Sequence, residues 1–277
     1  MSEGRIEGKA CVVTGAGGGI GSATARRFIK EGASGVICAD INFAAAEETA
    51  KSINEEFPGN RAVALHCDVS KKADVIKSVE LCEGKFGKID VYFANAGVLG
   101  KYIPISDETE ESFLRTLNIN TMGAFMAIKY ASEAMKRHGQ GGSIIVTSSI
   151  ASLRADITPL QYAASKGSLL SMVVAANDRL LSDRIRVNAI LPGGVMTDMA
   201  MGVARDLHEQ GLEMAGYDID RFPFFETDQM AGIVLFLASS ESEPIKGQFI
   251  IADGGMANSM GSQPPPQPKR QKKNAKL

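Results

Sequence analysis

The sequence predicts an α/β fold: a single domain built on a doubly wound parallel sheet flanked by helices. Short β-branched runs alternate with longer helical patterns from Lys9 onward, the order expected when helices join parallel strands. Most of the runs are nearly all apolar, as in Cys11-Val12-Val13 and Ile144-Ile145-Val146, and strands covered on both faces read this way. A chain of 277 residues is long enough for one large core of this kind.

In chain order, strands are expected at 10–14, 35–40, 62–67, 90–94, 143–147, 186–191 and 248–251. Helical patterns lie near 20–32, 44–57, 71–86, 107–138, 160–183 and 226–239. No solenoid repeat interrupts the alternation, and the domain is expected to span 1–257. Two segments stand apart from the pattern. The connection 198–225 is long and rich in Met and Phe (Met199, Met201, Met214, Phe222, Phe224, Phe225); connections of this length serve as lids or flexible segments. The tail, 258–277, has Pro264, Pro265, Pro266 and Pro268 followed by Lys-Arg-Gln-Lys-Lys. It lacks the apolar residues to join a core and is expected to be disordered.

A net charge of −2 gives no signature of nucleic-acid binding, although the basic tail leaves the rest of the chain acidic. No apolar run approaches the roughly 18 residues of a membrane span. Cys11, Cys38, Cys67 and Cys82 show no C-x-x-C spacing, and His66, His138 and His208 no ligand spacing, so no metal is expected. With no signal peptide before them, the cysteines read as reduced thiols of an intracellular protein.

The first expected strand runs straight into Thr14-Gly15-Ala16-Gly17-Gly18-Gly19-Ile20-Gly21, and a helical pattern starts at once. Glycines there allow a tight turn and close approach of a pyrophosphate to the helix N-terminus, the Rossmann-type arrangement. Asp40 ends the second strand, followed by Ile41 and Asn42. A carboxylate in that position accepts from adenosine ribose hydroxyls and repels a 2′-phosphate, which favours NAD over NADP. Its plain alternative is a cap for the following helix. Asp68 and Val69 after the third strand are placed to meet the adenine, and Asn95-Ala96-Gly97 ends the fourth strand over the same crevice; either segment could also be ordinary turn chemistry.

Tyr162 and Lys166 are four residues apart on an expected helix, hence on one face. A tyrosine with a pKa near 10 is a poor base at neutral pH, but an adjacent ammonium favours the phenolate. Together they make a candidate proton donor and acceptor, though such a pair also arises on solvated helix faces. Ser148 and Ser149 close the fifth strand, at the sheet edge where doubly wound folds bind ligands.

Taken together, Thr14-Gly-x-x-x-Gly19-x-Gly21, Asn95-Ala-Gly97, Ser149, Tyr162-x-x-x-Lys166 and Pro192-Gly193 resemble the short-chain dehydrogenase/reductase family, in order over roughly residues 6–256. The resemblance implies an oxidoreductase that interconverts a secondary alcohol and a ketone by hydride exchange with NAD(H). It selects Ser149 over Ser148, at 13 positions before the tyrosine, and Asn120 over Asn118, at three before Gly123. Tyr162 is then the acid/base and Ser149 a partner of the substrate oxygen. Lys166 binds the nicotinamide ribose and lowers the tyrosine pKa, and Asn120 holds a relay water. The implied cofactor set is Gly15, Gly17, Gly19, Ile20, Gly21, Asp40, Ile41, Asp68, Val69, Asn95, Ala96, Gly97, Tyr162, Lys166, Pro192, Gly193, Val195 and Thr197. Asp253-Gly254-Gly255 matches a C-terminal motif read as structural.

By the same resemblance 198–225 is the substrate lid, with an apolar pocket wall, and the chain forms a homodimer or homotetramer. The run Leu169, Leu170, Met172, Val173, Val174, Ala175, Ala176 exceeds what one buried helix face needs and agrees with such pairing. Two further readings stay open: an enoyl-thioester reductase, and a sensor or scaffold that binds NAD without turnover. The final Ala275-Lys276-Leu277 resembles the small–basic–Leu signal read by the peroxisomal import receptor. That placement, with cytoplasm as the alternative, makes a fatty-acyl or other apolar hydroxy compound the expected substrate. The basic cluster after Pro268 is a rival nuclear-type signal.

Overall fold

The computed structural model describes residues 4–155, 158–201 and 224–257. The strands are β1 (Ala10–Thr14), β2 (Gly35–Asp40), β3 (Ala62–His66), β4 (Val91–Ala94), β5 (Gly142–Thr147), β6 (Ile185–Pro192), β7 (Gly194–Val195), β8 (Phe224–Phe225) and β9 (Phe249–Ala252). The helices, named here in chain order, are α1 (Gly19–Lys30), α2 (Phe43–Glu56), α3 (Lys72–Phe86), α4 (Glu110–Leu117), α5 (Gly123–His138), α6 (Leu160–Leu180) and α7 (Thr227–Ala238). Seven strands form one sheet in the order β3-β2-β1-β4-β5-β6-β9, parallel throughout. The doubly wound expectation holds.

Alternation along each strand divides two apolar layers. Ala10 and Val12 of β1, with Tyr92 and Ala94 of β4, pack toward α3, α5 and α6. Cys11 and Val13, with Val91 and Phe93, pack toward α1, α2 and α7. Chain order reverses beside β1, which pairs with β2 on one side and β4 on the other. Crossovers therefore leave in opposite directions there and open a crevice past the strand ends, where such sheets take their ligands. Close approach demands some residues outright. A Cβ on Gly35 would run into the Phe86 ring, and one on Gly142 into Met135.

The expected helix 107–138 is interrupted. Asn118–Met122 forms one π-helical turn between α4 and α5, a widening that periodicity cannot show and that often marks functional positions. Smaller differences lie at strand ends, with β3 one residue shorter than expected and β9 shifted by one. Met196 N donates to Phe225 O at 2.9 Å while β7 pairs in parallel with β8. Both ends of the expected lid thus return to the same sheet edge, whereas 202–223, with Met214 and Phe222, lie outside the described residues. All four cysteines are free and buried, and burial pushes the Cys38, Cys67 and Cys82 thiols up to about 12. They are packing residues.

One buried cation ties the far end of the sheet together. Arg186, on β6, donates to the carbonyls of Leu237 at 2.9 Å, Ser239 at 3.2 Å and Ser242 at 3.1 Å. Those carbonyls belong to the end of α7 and the turn after it, where Ser143, Ser242 and Ile245 supply their other donors. Arg186→Ala should therefore cost about 3 kcal/mol in urea unfolding while leaving dinucleotide affinity within about twofold.

Candidate active site

The glycine turn between β1 and α1 is shaped by its neighbours. Gly15 adopts φ +67, and a Cβ there would sit 2.9 Å from Asn95 Nδ2. One on Gly21 would collide with the Gly15 carbonyl. Gly18 caps α1 in an extended conformation, with no side chain to occupy the first-turn amides and no acid in that turn. The helix therefore presents unshielded N–H groups and the positive end of its dipole, a seat for a phosphate. Ile20 begins to bury against the sheet. Across the crevice, Thr197 Cγ2 lies 3.1 Å from where a Gly19 Cβ would be, so the segment after β7 approaches the turn from above.

Asp40 faces this turn. Its Oδ2 accepts from Gly17 N at 2.9 Å and its Oδ1 from Asn42 N at 2.8 Å. It does not cap α2; Asn42 does, accepting from Ala45 N at 3.3 Å. Each carboxylate oxygen keeps lone pairs for further donors, and the neighbouring Ile41 is 64% exposed. Asp68 accepts from Ser70 N at 2.9 Å and Ser70 Oγ at 2.6 Å. Burial works to raise its pKa, but the Ser70 bonds, with nearby Lys71 and His66, outweigh it and hold the carboxyl below its usual range. Val69 packs where a Gly123 Cβ would fall, 3.0 Å from its Cγ2.

Asn95 is more engaged than its motif implies. Its Nδ2 donates to Thr14 O at 3.1 Å and its Oδ1 accepts from Thr147 Oγ1 at 3.1 Å. Thr14 Oγ1 in turn accepts from the amides of Asn95 at 3.0 Å and Ala96 at 3.2 Å. The ends of β1, β4 and β5 are latched together by these three side chains. Pro192 ends β6, and Gly193 N donates to Ala252 O at 2.9 Å. A Cβ there would press on Asp253 at 2.9 Å. Buried Asp253 accepts from Gly255 N at 2.8 Å and Ala257 N at 2.5 Å, a turn-holding role. Val195 is buried beside them.

The structure brings Ser149, Tyr162, Lys166 and Asn120 together at this edge. The Ser149 side chain faces the Tyr162 phenol and lowers its pKa against the effect of burial, while Ser149 Oγ accepts from Ala151 N at 3.1 Å. Ser148 is turned away, its hydroxyl donating to Lys166 O at 2.9 Å. The Lys166 ammonium lies 5.7 Å from the Tyr162 ring centre and donates to Thr147 O at 2.6 Å, leaving two of its three hydrogens for other acceptors. Asn120 uses both amide hydrogens, on Val98 O at 2.8 Å and Ser165 Oγ at 2.9 Å, and its Oδ1 accepts from Val98 N at 2.8 Å. Relay contact through its side chain is therefore restricted to a spare lone pair on Oδ1. A Cβ on Gly97 would lie 3.0 Å from that oxygen and 3.3 Å from Lys166 Nζ, so glycine keeps the space between them clear.

A sequence model of the family described as enoyl-(acyl carrier protein) reductase matches residues 15–257. The chain is 34% identical over 258 residues to short-chain dehydrogenase reductase 3b of Arabidopsis thaliana, covering 92% of this chain and 98% of that protein.

The chain belongs to the short-chain dehydrogenase/reductase family.

Its fold superposes on levodione reductase with a TM-score of 0.86 at 28% identity, over 92% of this chain and 100% of that one. It also superposes on 3-ketoacyl-(acyl-carrier-protein) reductase from Brucella melitensis complexed with NADH, with a TM-score of 0.78 at 30% identity, over 91% and 99% of the two chains. As a short-chain dehydrogenase/reductase it is an NAD(P)-dependent oxidoreductase acting at a CH–OH or C=O group.

Sequence reasoning missed three participants in this dehydrogenase/reductase site. Thr147 holds Lys166 through a main-chain carbonyl, which no residue type signals. Val98 receives Asn120 the same way. Ser165 could have been noticed, since it sits on the same turn as Tyr162 and donates to Tyr162 O at 2.8 Å.

Burial raises the Tyr162 pKa, partly offset by the neighbouring Ser149 side chain, and lowers Lys166 from 10.5 to about 8. The unfolded chain therefore binds more protons at Lys166 between pH 8 and 10.5, and stability rises with pH across that window. Relative to a Lys166→Met variant, the unaltered protein should gain about 2 kcal/mol from pH 7 to pH 10, measured by chemical unfolding at both values. A constant difference would show that the ammonium is not desolvated.

Proposed function

We propose that the chain interconverts a secondary alcohol and a ketone on an apolar substrate, with NAD(H) as the cofactor and Tyr162 as general acid and base. The observation that carries this reading is the Lys166 ammonium 5.7 Å from the Tyr162 ring, with the Ser149 side chain facing the phenol, across from the glycine turn.

The dinucleotide fits what is there. The α1 N-terminus and the glycine turn would take the pyrophosphate, Asp40 the adenosine ribose, and Lys166 and Tyr162 the nicotinamide ribose. Ile41, Asp68 and Val69 would border the adenine, while Asn95, Ala96, Gly97, Pro192, Gly193, Val195 and Thr197 would line the remainder. When bound, it supplies or accepts the hydride. Asp40 disfavours a 2′-phosphate, and no basic side chain stands at Gly18, Ile41 or Asn42 to receive one. The NADH complex of the Brucella melitensis relative supports the same preference.

Burial keeps the phenol protonated, the form that ketone reduction requires. Tyr162 gives its proton to the substrate oxygen, Ser149 donates a hydrogen bond to that oxygen, and Lys166 stabilises the phenolate left behind. Alcohol oxidation runs the same proton in reverse, and Lys166 retains its charge for this below about pH 8. Asn120 would hold the water that returns a proton toward Lys166.

Large apolar side chains stand exposed on the loops that follow β4, β5 and β7: Tyr102, Ile105, Leu153, Met196, Met199 and Met201. Such a rim suits a substrate with hydrocarbon bulk. An enoyl-thioester reductase is the second reading, favoured by the description of the matching family model. The paired Ser149 and Tyr162, both addressed to an oxygen, favour the ketone. A non-catalytic NAD sensor would share the cradle and show no turnover.

Exposed Leu114, Met122, Phe125 and Val174 on α4, α5, α6 and the turn between support association of copies as a dimer or tetramer. We further read Ala275-Lys276-Leu277, outside the described residues, as a peroxisomal import signal on the tail that follows a domain of residues 1–257. An apolar hydroxyacyl compound would then be the substrate.

In an NAD(H)-linked screen of hydroxyacyl-CoAs, sterols, polyols and small ketones, Tyr162→Phe should lower kcat about a hundredfold or more with NADH affinity retained. Full activity in that variant would refute the assignment of the tyrosine. A fluorescently tagged chain should be punctate in cells and become diffuse when Ala275-Lys276-Leu277 is removed; persistent puncta would exclude the signal.

A further inference from the structure

Gln161 immediately precedes Tyr162 in the first turn of α6, yet its side chain points away from solvent entirely, with no exposed surface. It reaches the loop that leaves the site after Gly97. Its Nε2 donates to Lys101 O at 3.0 Å. Gly100, at φ +80, lies directly on it; a Cβ on Gly100 would come 2.5 Å from Nε2 and 3.0 Å from Cδ. The loop backbone has therefore closed onto the glutamine more tightly than any residue with a side chain permits.

The amide orientation follows from the same contact. Turning Oε1 toward the Lys101 carbonyl would set two acceptors against each other, so the N–H must face it. Oε1 is then left without a donor among the described residues. Buried polar atoms are rarely left so, and a residue needed only to fill space would be better served by methionine or leucine. The donor N–H is the group this position requires.

The loop so held is not remote from the chemistry. One end, Val98, is pinned through both its amide and its carbonyl by Asn120. The other, at Lys101, is pinned by Gln161. Beyond it the chain presents Tyr102 and Ile105, both exposed, on the apolar rim. The two clamps enclose residues 98–101 and fix them against the turn that carries Tyr162.

We propose that Gln161 is a specificity-determining positioning residue: it locks loop 98–101 against Tyr162, so that the apolar wall beyond holds a bulky ketone in register with the phenol. This rests on the ketone reading of the site. A small ketone, which does not reach the wall, is served by Ser149 and Tyr162 alone, whereas a large one needs the wall in place.

The test compares Gln161→Met with the unaltered full chain, using NADH with cyclohexanone as the small probe and 2-decalone as the large one. The expected result is a loss of about tenfold or more in kcat/KM for 2-decalone, carried by KM, with cyclohexanone changed less than about twofold and the pH profile of kcat unmoved. Hydrogen exchange, read without any substrate, should accelerate at 99–101 and stay unchanged at 163–166. Gly100→Ala, which forces the loop off the glutamine from the other side, should accelerate exchange at the same amides. Equal losses for both ketones, or unaltered exchange at 99–101 in both variants, would overturn the proposal. If the unaltered protein reduces neither ketone, the substrate reading fails separately and the specificity claim falls with it, while exchange alone still decides whether Gln161 holds the loop.

Discussion

The ammonium of Lys166 is buried at a sheet edge, where a desolvated charge must find fixed acceptors. Its partner is the Thr147 carbonyl at 2.6 Å, the last residue of β5. That carbonyl stays in place because the Thr147 hydroxyl is bonded to Asn95, which also grips the end of β1. The proton chemistry of α6 and the nucleotide turn after β1 are therefore fastened to one another through three strand ends. Slackening any of them would move Tyr162 relative to the glycine turn.

Buried polar groups at this density are favourable only when each is matched. Here the matching assigns roles. Ser148 spends its hydroxyl on the Lys166 carbonyl, which fixes the start of α6 and leaves Ser149 to face Tyr162. Asn120 spends its amide on Val98 and Ser165, which fixes the loop that borders the site. The π-helical turn at Asn118–Met122 brings Asn120 to that point from a helix that would otherwise carry it past. Lowering of the Lys166 pKa is the cost of this arrangement and, by keeping the residue near its titration range, part of its use.

Much of this was legible before any coordinates. Apolar runs located every strand of the main sheet, and the 3.6-residue pattern located the helices, because burial on both faces leaves a strong imprint on composition. The sequence also marked Asp40, Tyr162 and Lys166, since their chemistry depends on side-chain type, whereas Ser149 was separated from Ser148 only by the family's spacing. What it could not show was carried by the main chain: the Thr147 carbonyl under Lys166, the Val98 groups that occupy Asn120, and the break at Asn118, where the apolar period simply continues. Asp40 illustrates the mixed case. Its carboxylate was recognisable, but its bonds to Gly17 and Asn42, which aim it at the glycine turn, depend on a fold that brings residues from two loops together.

Diffraction from crystals grown with NADH would test the central claim most directly. The account predicts the adenosine ribose on the Asp40 carboxylate, the pyrophosphate at the N-terminus of α1, and the nicotinamide ribose within hydrogen-bond distance of Lys166 Nζ and the Tyr162 hydroxyl. A dinucleotide bound with its nicotinamide away from Tyr162, or one that leaves Asp40 without a ribose contact, would contradict it.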